Sequence, residues 1–182
     1  MVNEIMEDML DSFGKVMKVL QKDLSRTRTG RANLSILDPV RVEYYGSPMP
    51  LSQVASLAIA DPRLITVKPW DKGLLHAIEK AIIQVDIGIT PSSDGEIIRL
   101  PIPPLSGERR QEMVKLVKRH GEDARVAIRN LRRDTNEMLK ELEDLPEDDL
   151  HRTLKKVQEN TDEFIKKVDE AVTAKEKEIL EF

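Results

Sequence analysis

Residues 106–144 read SGERRQEMVKLVKRHGEDARVAIRNLRRDTNEMLKELED, and the spacing of their side chains decides the fold. Met113, Leu116, Val117, His120, Ala124, Ile128, Leu131, Met138 and Leu142 recur every three or four positions, the period of one face of an α-helix. Ser106 is a residue type that caps helix starts, because its side-chain oxygen accepts an orphan backbone N–H. Leu145-Pro146 closes the run, since proline lacks the amide hydrogen and disfavours helical backbone in the residue before it. The predicted helix is about 57 Å long at 1.5 Å per residue. A rod of that length must lay its seam on other helices to bury it.

Those helices lie at both ends of the chain. Downstream, Glu147, Asp148 and Asp149 occupy a first turn, where the helix dipole favours acidic groups. Leu150, Leu154, Val157, Thr161, Phe164, Val168 and Ala171 then follow in four- and three-residue steps, a heptad that predicts packing along the whole helix. Upstream, Val2, Ile5, Met6, Met9, Phe13, Val16, Met17, Leu20 and Leu24 form a third stripe. This helix is expected to end near Thr29-Gly30, because glycine takes the left-handed backbone that terminates helices. Three stripes are buried most simply in a three-helix bundle.

The middle of the chain changes character. From Gly30 to Gly107 it holds six of the eight glycines and nine of the ten prolines. Val40-Arg41-Val42-Glu43-Tyr44-Tyr45 alternates and is rich in β-formers, with a turn expected at Gly46-Ser47-Pro48. Leu64 to Val67 and Ile97 to Leu100 predict further strands. Leu74, Leu75, Ile78, Ala81, Ile82 and Val85 fit one helix between them, and Ser92-Ser93-Asp94-Gly95 predicts a turn. The expected fold class is α+β: a long three-helix bundle built from residues 1–30 and 105–182, with a small β/α/β domain, residues 31–104, inserted in it. The chain crosses between the two at Gly30-Arg31 and Pro104-Leu105, the expected hinge.

The net charge of −4 conceals a sorted distribution. Residues 106–133 carry nine basic and four acidic groups, whereas residues 134–182 carry eight and sixteen. A basic segment inside a mildly acidic chain favours a polyanionic partner on one surface. The absence of cysteine excludes disulfides and thiolate metal sites. Glu4, Glu7 and Asp8 stand where an export signal needs positive charge, and no apolar run is long enough to span a membrane. A cytoplasmic location is therefore expected.

Helical geometry sharpens the charge argument. With Met113 at zero and 100° per residue, Lys118, Arg125, Arg129 and Arg132 fall at about 100–160°, and Lys115, Arg133 and Lys140 at about 180–200°. Glu112, Asp123, Asp134, Glu137 and Glu141 lie at about 240–300°. The expectation is an exposed arginine ridge flanked by acids. Guanidinium groups grip phosphate in bidentate fashion, so the ridge fits RNA or DNA read by shape and backbone. A solvated face laced with weak ion pairs would share the charge pattern but not the segregation of signs. Arg26, Arg28 and Arg31 carry the basic character to the end of the first helix.

Other sites are weaker. His76, His120 and His151 are far apart in sequence, and His120 is expected in the core. Glu147-Asp148-Asp149 lacks the spacing of a calcium loop. Arg28-Thr29-Gly30-Arg31 has too few glycines to cradle phosphate. Trp70 reads as packing or as the lead-in to a helix. No acid, base and nucleophile converge, so an enzyme is not expected, and neither is a cofactor or metal. A coiled-coil adaptor that meets other proteins through its heptad helix is the competing expectation.

The chain resembles the ribosome recycling factor family in an ordered set of motifs. These are Arg28-Thr29-Gly30-Arg31-Ala32, Val42-Glu43-Tyr44-Tyr45-Gly46-Ser47, Pro50 to Ala55, Glu79-Lys80-Ala81-Ile82, Asp94-Gly95, Arg99-Leu100-Pro101, Pro103-Pro104, Glu108-Arg109-Arg110 and Ala127-Ile128-Arg129-Asn130-Leu131-Arg132-Arg133-Asp134. Val85 to Pro91 departs slightly from the family's usual leucine and asparagine choices. The resemblance implies an L-shaped, monomeric, two-domain protein that binds the large ribosomal subunit after termination. With elongation factor G and GTP, such a factor splits the post-termination complex. It also implies that Arg129 and Arg132 are the principal contacts to ribosomal RNA, supported by Arg28, Arg31, Arg110 and Arg133. The ridge itself adds Arg125 and Lys118.

Overall fold

The computed structural model describes residues 1–181, and they divide into two compact units. The first is formed by Met1–Thr27 and Glu108–Glu181, the second by Arg28–Gly107.

Unit 1 consists of three helices: α1 (Val2–Arg26), α4 (Gly107–Lys140) and α5 (Glu147–Glu181). Each pair is joined by specific contacts. Phe13 of α1 meets Phe164 of α5 with ring centroids 5.1 Å apart. His120 of α4 faces Asp23 of α1 at 3.8 Å. Gly121 of α4 lies against Val172 of α5. Of the α5 heptad, Val157, Thr161 and Val168 are buried, with Val172 and Ile179 further along the helix, whereas Leu150, Leu154, Phe164 and Ala171 are partly exposed.

Both expected helix ends move inward. α1 stops at Arg26, before Gly30, because Thr27 turns extended and satisfies the last carbonyls itself. Its N–H donates to Leu24 O at 3.2 Å and its hydroxyl to Asp23 O at 3.0 Å. α4 stops at Lys140 rather than Asp144. Glu141, Glu143 and Asp144 would place negative charge at the negative end of the helix dipole, and Pro146 restrains the residue before it.

Unit 2 (Arg28–Gly107) holds a two-stranded antiparallel ribbon, β1 (Arg41–Tyr44) with β2 (Ser47–Pro50), followed by a single helical turn α2 (Leu51–Val54). A four-stranded antiparallel sheet contains β3 (Ala55–Asp61), β4 (Leu64–Pro69), β5 (Ser92–Ser93) and β6 (Ile98–Pro101), in the order β3-β4-β6-β5. Helix α3 (Leu75–Gln84) lies between β4 and β5 in the chain. Period-two alternation sends Ile65 and Val67 of β4, and Ile98 and Leu100 of β6, to one face. They pack there with Ile78 and Ile82 of α3 and Val42 of β1.

The turn expected at Gly46-Ser47-Pro48 is instead Tyr45-Gly46, and Ser47 and Pro48 belong to β2. Both turn residues have positive φ, 49° and 79°, as a two-residue loop matching the twist of its strands requires. Prolines are tolerated in β2 because the ribbon has only two strands, leaving every residue on an edge. Nothing lies near where a Cβ on Gly46 would stand, so Gly46→Ala acts through the backbone alone. It is expected to destabilise unit 2 by about 1–2 kcal/mol, read as a lower midpoint in urea, since an L-residue resists left-handed backbone.

Both ends of the inserted unit are tied to one loop. Ala32 N donates to Pro62 O at 2.6 Å, and Ile102 N donates to Arg63 O at 2.8 Å. Arg28 Nη2 adds a bond to Ile87 O at 2.6 Å.

Candidate nucleic-acid interface

The buried stripe of α4 is not quite the one its apolar residues suggest. Met113, Val117, Gly121, Ala124, Ile128, Thr135 and Leu139 are buried, whereas Leu116 is 37% and Met138 53% exposed. In the angular frame used above, the buried face centres at about 45° rather than zero. The shift carries the inner arginines toward the neighbouring helix α5. Arg132, about 55° from that centre, is therefore half-buried, and Arg133 is fully outside.

The expected ridge is thereby graded by what holds each side chain. Arg125, only 23% exposed, donates through Nε to Asp169 of α5 at 2.8 Å and through Nη1 to Glu122 at 3.0 Å. Burial opposes its charged form, but the bonds to Asp169 and Glu122 prevail and leave its pKa above the ordinary arginine value. Arg129, 46% exposed, shares the same Glu122 at 3.1 Å. Hydrogen bonds from Arg125 and then Arg129 hold the Glu122 carboxyl below the usual glutamate range, so it stays ionised. Arg132 Nη1 donates at 3.0 Å to a neutral acceptor, Gln158 Oε1 of α5. Arg133 is exposed and has no ion pair among the described residues, as is also true of Lys115 and Arg119. Lys118 reaches Glu176 only at 4.0 Å.

The segregation of signs therefore has exceptions of both kinds, since Arg119 falls at about 240°, among the acids. Glu122 falls at about 180°, inside the ridge rather than on its flank. Arg125 is consequently paired with two carboxylates, one of which, Asp169, belongs to α5.

The remaining candidates are dispersed. Arg110 is half-buried near the start of α4 and bonds Leu180 O at 3.3 Å. Arg28 and Arg31 belong to unit 2, along with Gly30, Pro104 and Leu105. Those five line a shallow cleft with Ile36, Ile87 and Ile102. His120 is not a core residue: it is partly exposed beside Asp23, because the turn of the stripe leaves it on the rim. Trp70 is exposed, so it does not pack. Among the described residues there is no cluster able to hold a metal, and no helix long and apolar enough to cross a membrane.

Glu122, Arg119 and Gln158 escaped the reading of the sequence. The first two were visible at helical spacing on α4. Gln158 had no local signal, because its relevance depends on which residue of α5 faces Arg132.

What this arrangement can do is bind phosphate. Arg129, Arg132 and Arg133 lie along one side of α4, and a guanidinium grips phosphate in bidentate fashion. The comparisons with known proteins concern the whole chain. Residues 20–180 match the family model described as ribosome recycling factor. A ribosome-recycling factor from Carboxydothermus hydrogenoformans is 50% identical over 183 residues, covering 99% of each chain. A solution structure of a ribosome recycling factor has a TM-score of 0.80 at 35% identity, covering 100% of this chain and 98% of the other. The T. thermophilus ribosome recycling factor, placed with E. coli elongation factor G on the E. coli post-termination complex, has a TM-score of 0.67 at 42% identity over 99% of each chain. This chain belongs to the ribosome recycling factor family.

Proposed function

We propose that this chain is a non-catalytic recycling factor that binds the large ribosomal subunit after termination. With elongation factor G and GTP, it separates the subunits of the post-termination complex. The observation that carries this reading is the full-length likeness to a recycling factor placed with elongation factor G on a post-termination complex. The factor acts in the cytoplasm as a monomer and needs no cofactor of its own; the GTPase supplies the chemical energy.

In this reading α4 (Gly107–Lys140) lies along folded ribosomal RNA. Arg132 and Arg129 make the principal phosphate contacts, and Arg133 and Lys118 extend them. Arg110, Arg28 and Arg31 support them, and Arg125 braces the helix. Gly30 and Arg31 on the way into unit 2, and Pro104 and Leu105 on the way out, stand a few residues from the unit boundaries at Thr27/Arg28 and Gly107/Glu108. These four form the proposed hinge.

The test is a subunit-splitting assay by light scattering. Post-termination ribosomes should fall apart when the chain, elongation factor G and GTP are all present, and persist when any one is omitted. Persistence with all three present would overturn the proposal.

A further inference from the structure

Arg125, Arg129 and Arg132 share one face of α4, yet they differ in the charge of the group that holds them. Arg125 has two carboxylates and Arg129 has part of one. Arg132 has an amide. Its Nη1 donates to Gln158 Oε1 at 3.0 Å, and Gln158 Nε2 in turn donates to Asp162 Oδ1 at 2.8 Å. The second bond fixes the first, because a carboxylate accepts only from the amide nitrogen and so turns the amide oxygen toward Arg132. Arg132 Nε is buried with no hydrogen-bond partner, so Gln158 is the one polar grip on this guanidinium among the described residues.

We infer that Gln158 is the positioning residue for Arg132: it orients the guanidinium through a neutral acceptor and leaves its full charge for a phosphate. A carboxylate in the same place would hold Arg132 more firmly and cancel the charge that binding uses. A flexible long side chain loses rotamer freedom when it grips a ligand, and an oriented one loses less. Asp162 acts one step further out, by locking the amide. The inference rests on the proposed contact between α4 and ribosomal RNA.

The experiment measures binding to purified large ribosomal subunits across a range of salt, with thermal melts of each variant alongside. Gln158→Glu should weaken binding about tenfold and flatten the log–log salt slope by roughly 0.7–0.9, the loss of one phosphate contact, with a melting midpoint lowered only slightly by repulsion from Asp162 four residues on. Gln158→Leu should also weaken binding while keeping the wild-type slope, since the charge remains but is no longer oriented. Arg132→Ala serves as the control on the underlying reading. If Arg132→Ala weakens binding but both Gln158 variants bind like wild type, the positioning role is overturned and the RNA contact stands. If Arg132→Ala itself binds like wild type, the contact fails and the inference with it. Should Gln158→Glu melt early, Gln158→Leu decides alone, and wild-type affinity in that variant overturns the inference.

Discussion

Gly121→Leu is expected to destabilise the helical bundle by about 3 kcal/mol or more, lowering the urea midpoint of unit 1 without changing that of unit 2. A Cβ added at Gly121 would stand 2.5 Å from Cγ2 of Val172, a separation that real side chains do not adopt. Valine cannot swing aside easily, because branching at Cβ restricts its χ1 within a helix. Alanine at this position would recover about 1 kcal/mol of helix propensity, which the same clash opposes. Gly121→Ala combined with Val172→Ala should therefore be more stable than the two separate losses suggest, a coupling that a double-mutant cycle measures. Simple additivity would show that α4 and α5 do not meet at this point.

The second large effect concerns binding. Arg132→Ala should weaken association with large ribosomal subunits by about 10- to 100-fold, the range for one charged phosphate or base-edge contact. Alanine is the best helix former, so the helical signal in circular dichroism should stay constant. Arg125→Ala should show the opposite balance. Arg125 is held by Asp169 and Glu122 between α4 and α5, so its removal should lower stability more than affinity. Sedimentation of each variant with large subunits, paired with thermal melts, separates the two roles.

Much of this architecture is legible in the sequence, and the exceptions have physical causes. The periods of Phe13, Ile128 and Val168 mark three long helices because burial along a rod repeats with the turn of the helix. The exact buried face of α4 is less legible, because Gly121 and Thr135 line it without being large and apolar. A glycine belongs there because it lets two helices approach, which hydrophobicity does not register. The β1–β2 ribbon is visible at Val40 to Tyr45, but Pro48 and Pro50 hide its second strand, since proline is read as a breaker unless the strand is known to be an edge. The candidate site divides the same way. Spacing along α4 gathers Arg125, Arg129, Arg132 and Arg133, because that depends on one helix alone. Their partners Asp169 and Gln158 come from α5, more than twenty residues away, and follow only from how the helices pack.

The central claim is that the arginine face of α4 meets phosphates of folded ribosomal RNA. The most direct measurement is the affinity of the wild-type chain for purified large subunits as a function of potassium chloride concentration. Arg129, Arg132, Arg133 and Lys118 together predict a log–log slope of roughly −3 to −4, steeper still where Arg110, Arg28 and Arg31 also engage, since each neutralised phosphate contributes about 0.7–0.9. A slope near zero, with affinity unmoved by salt, would contradict the account.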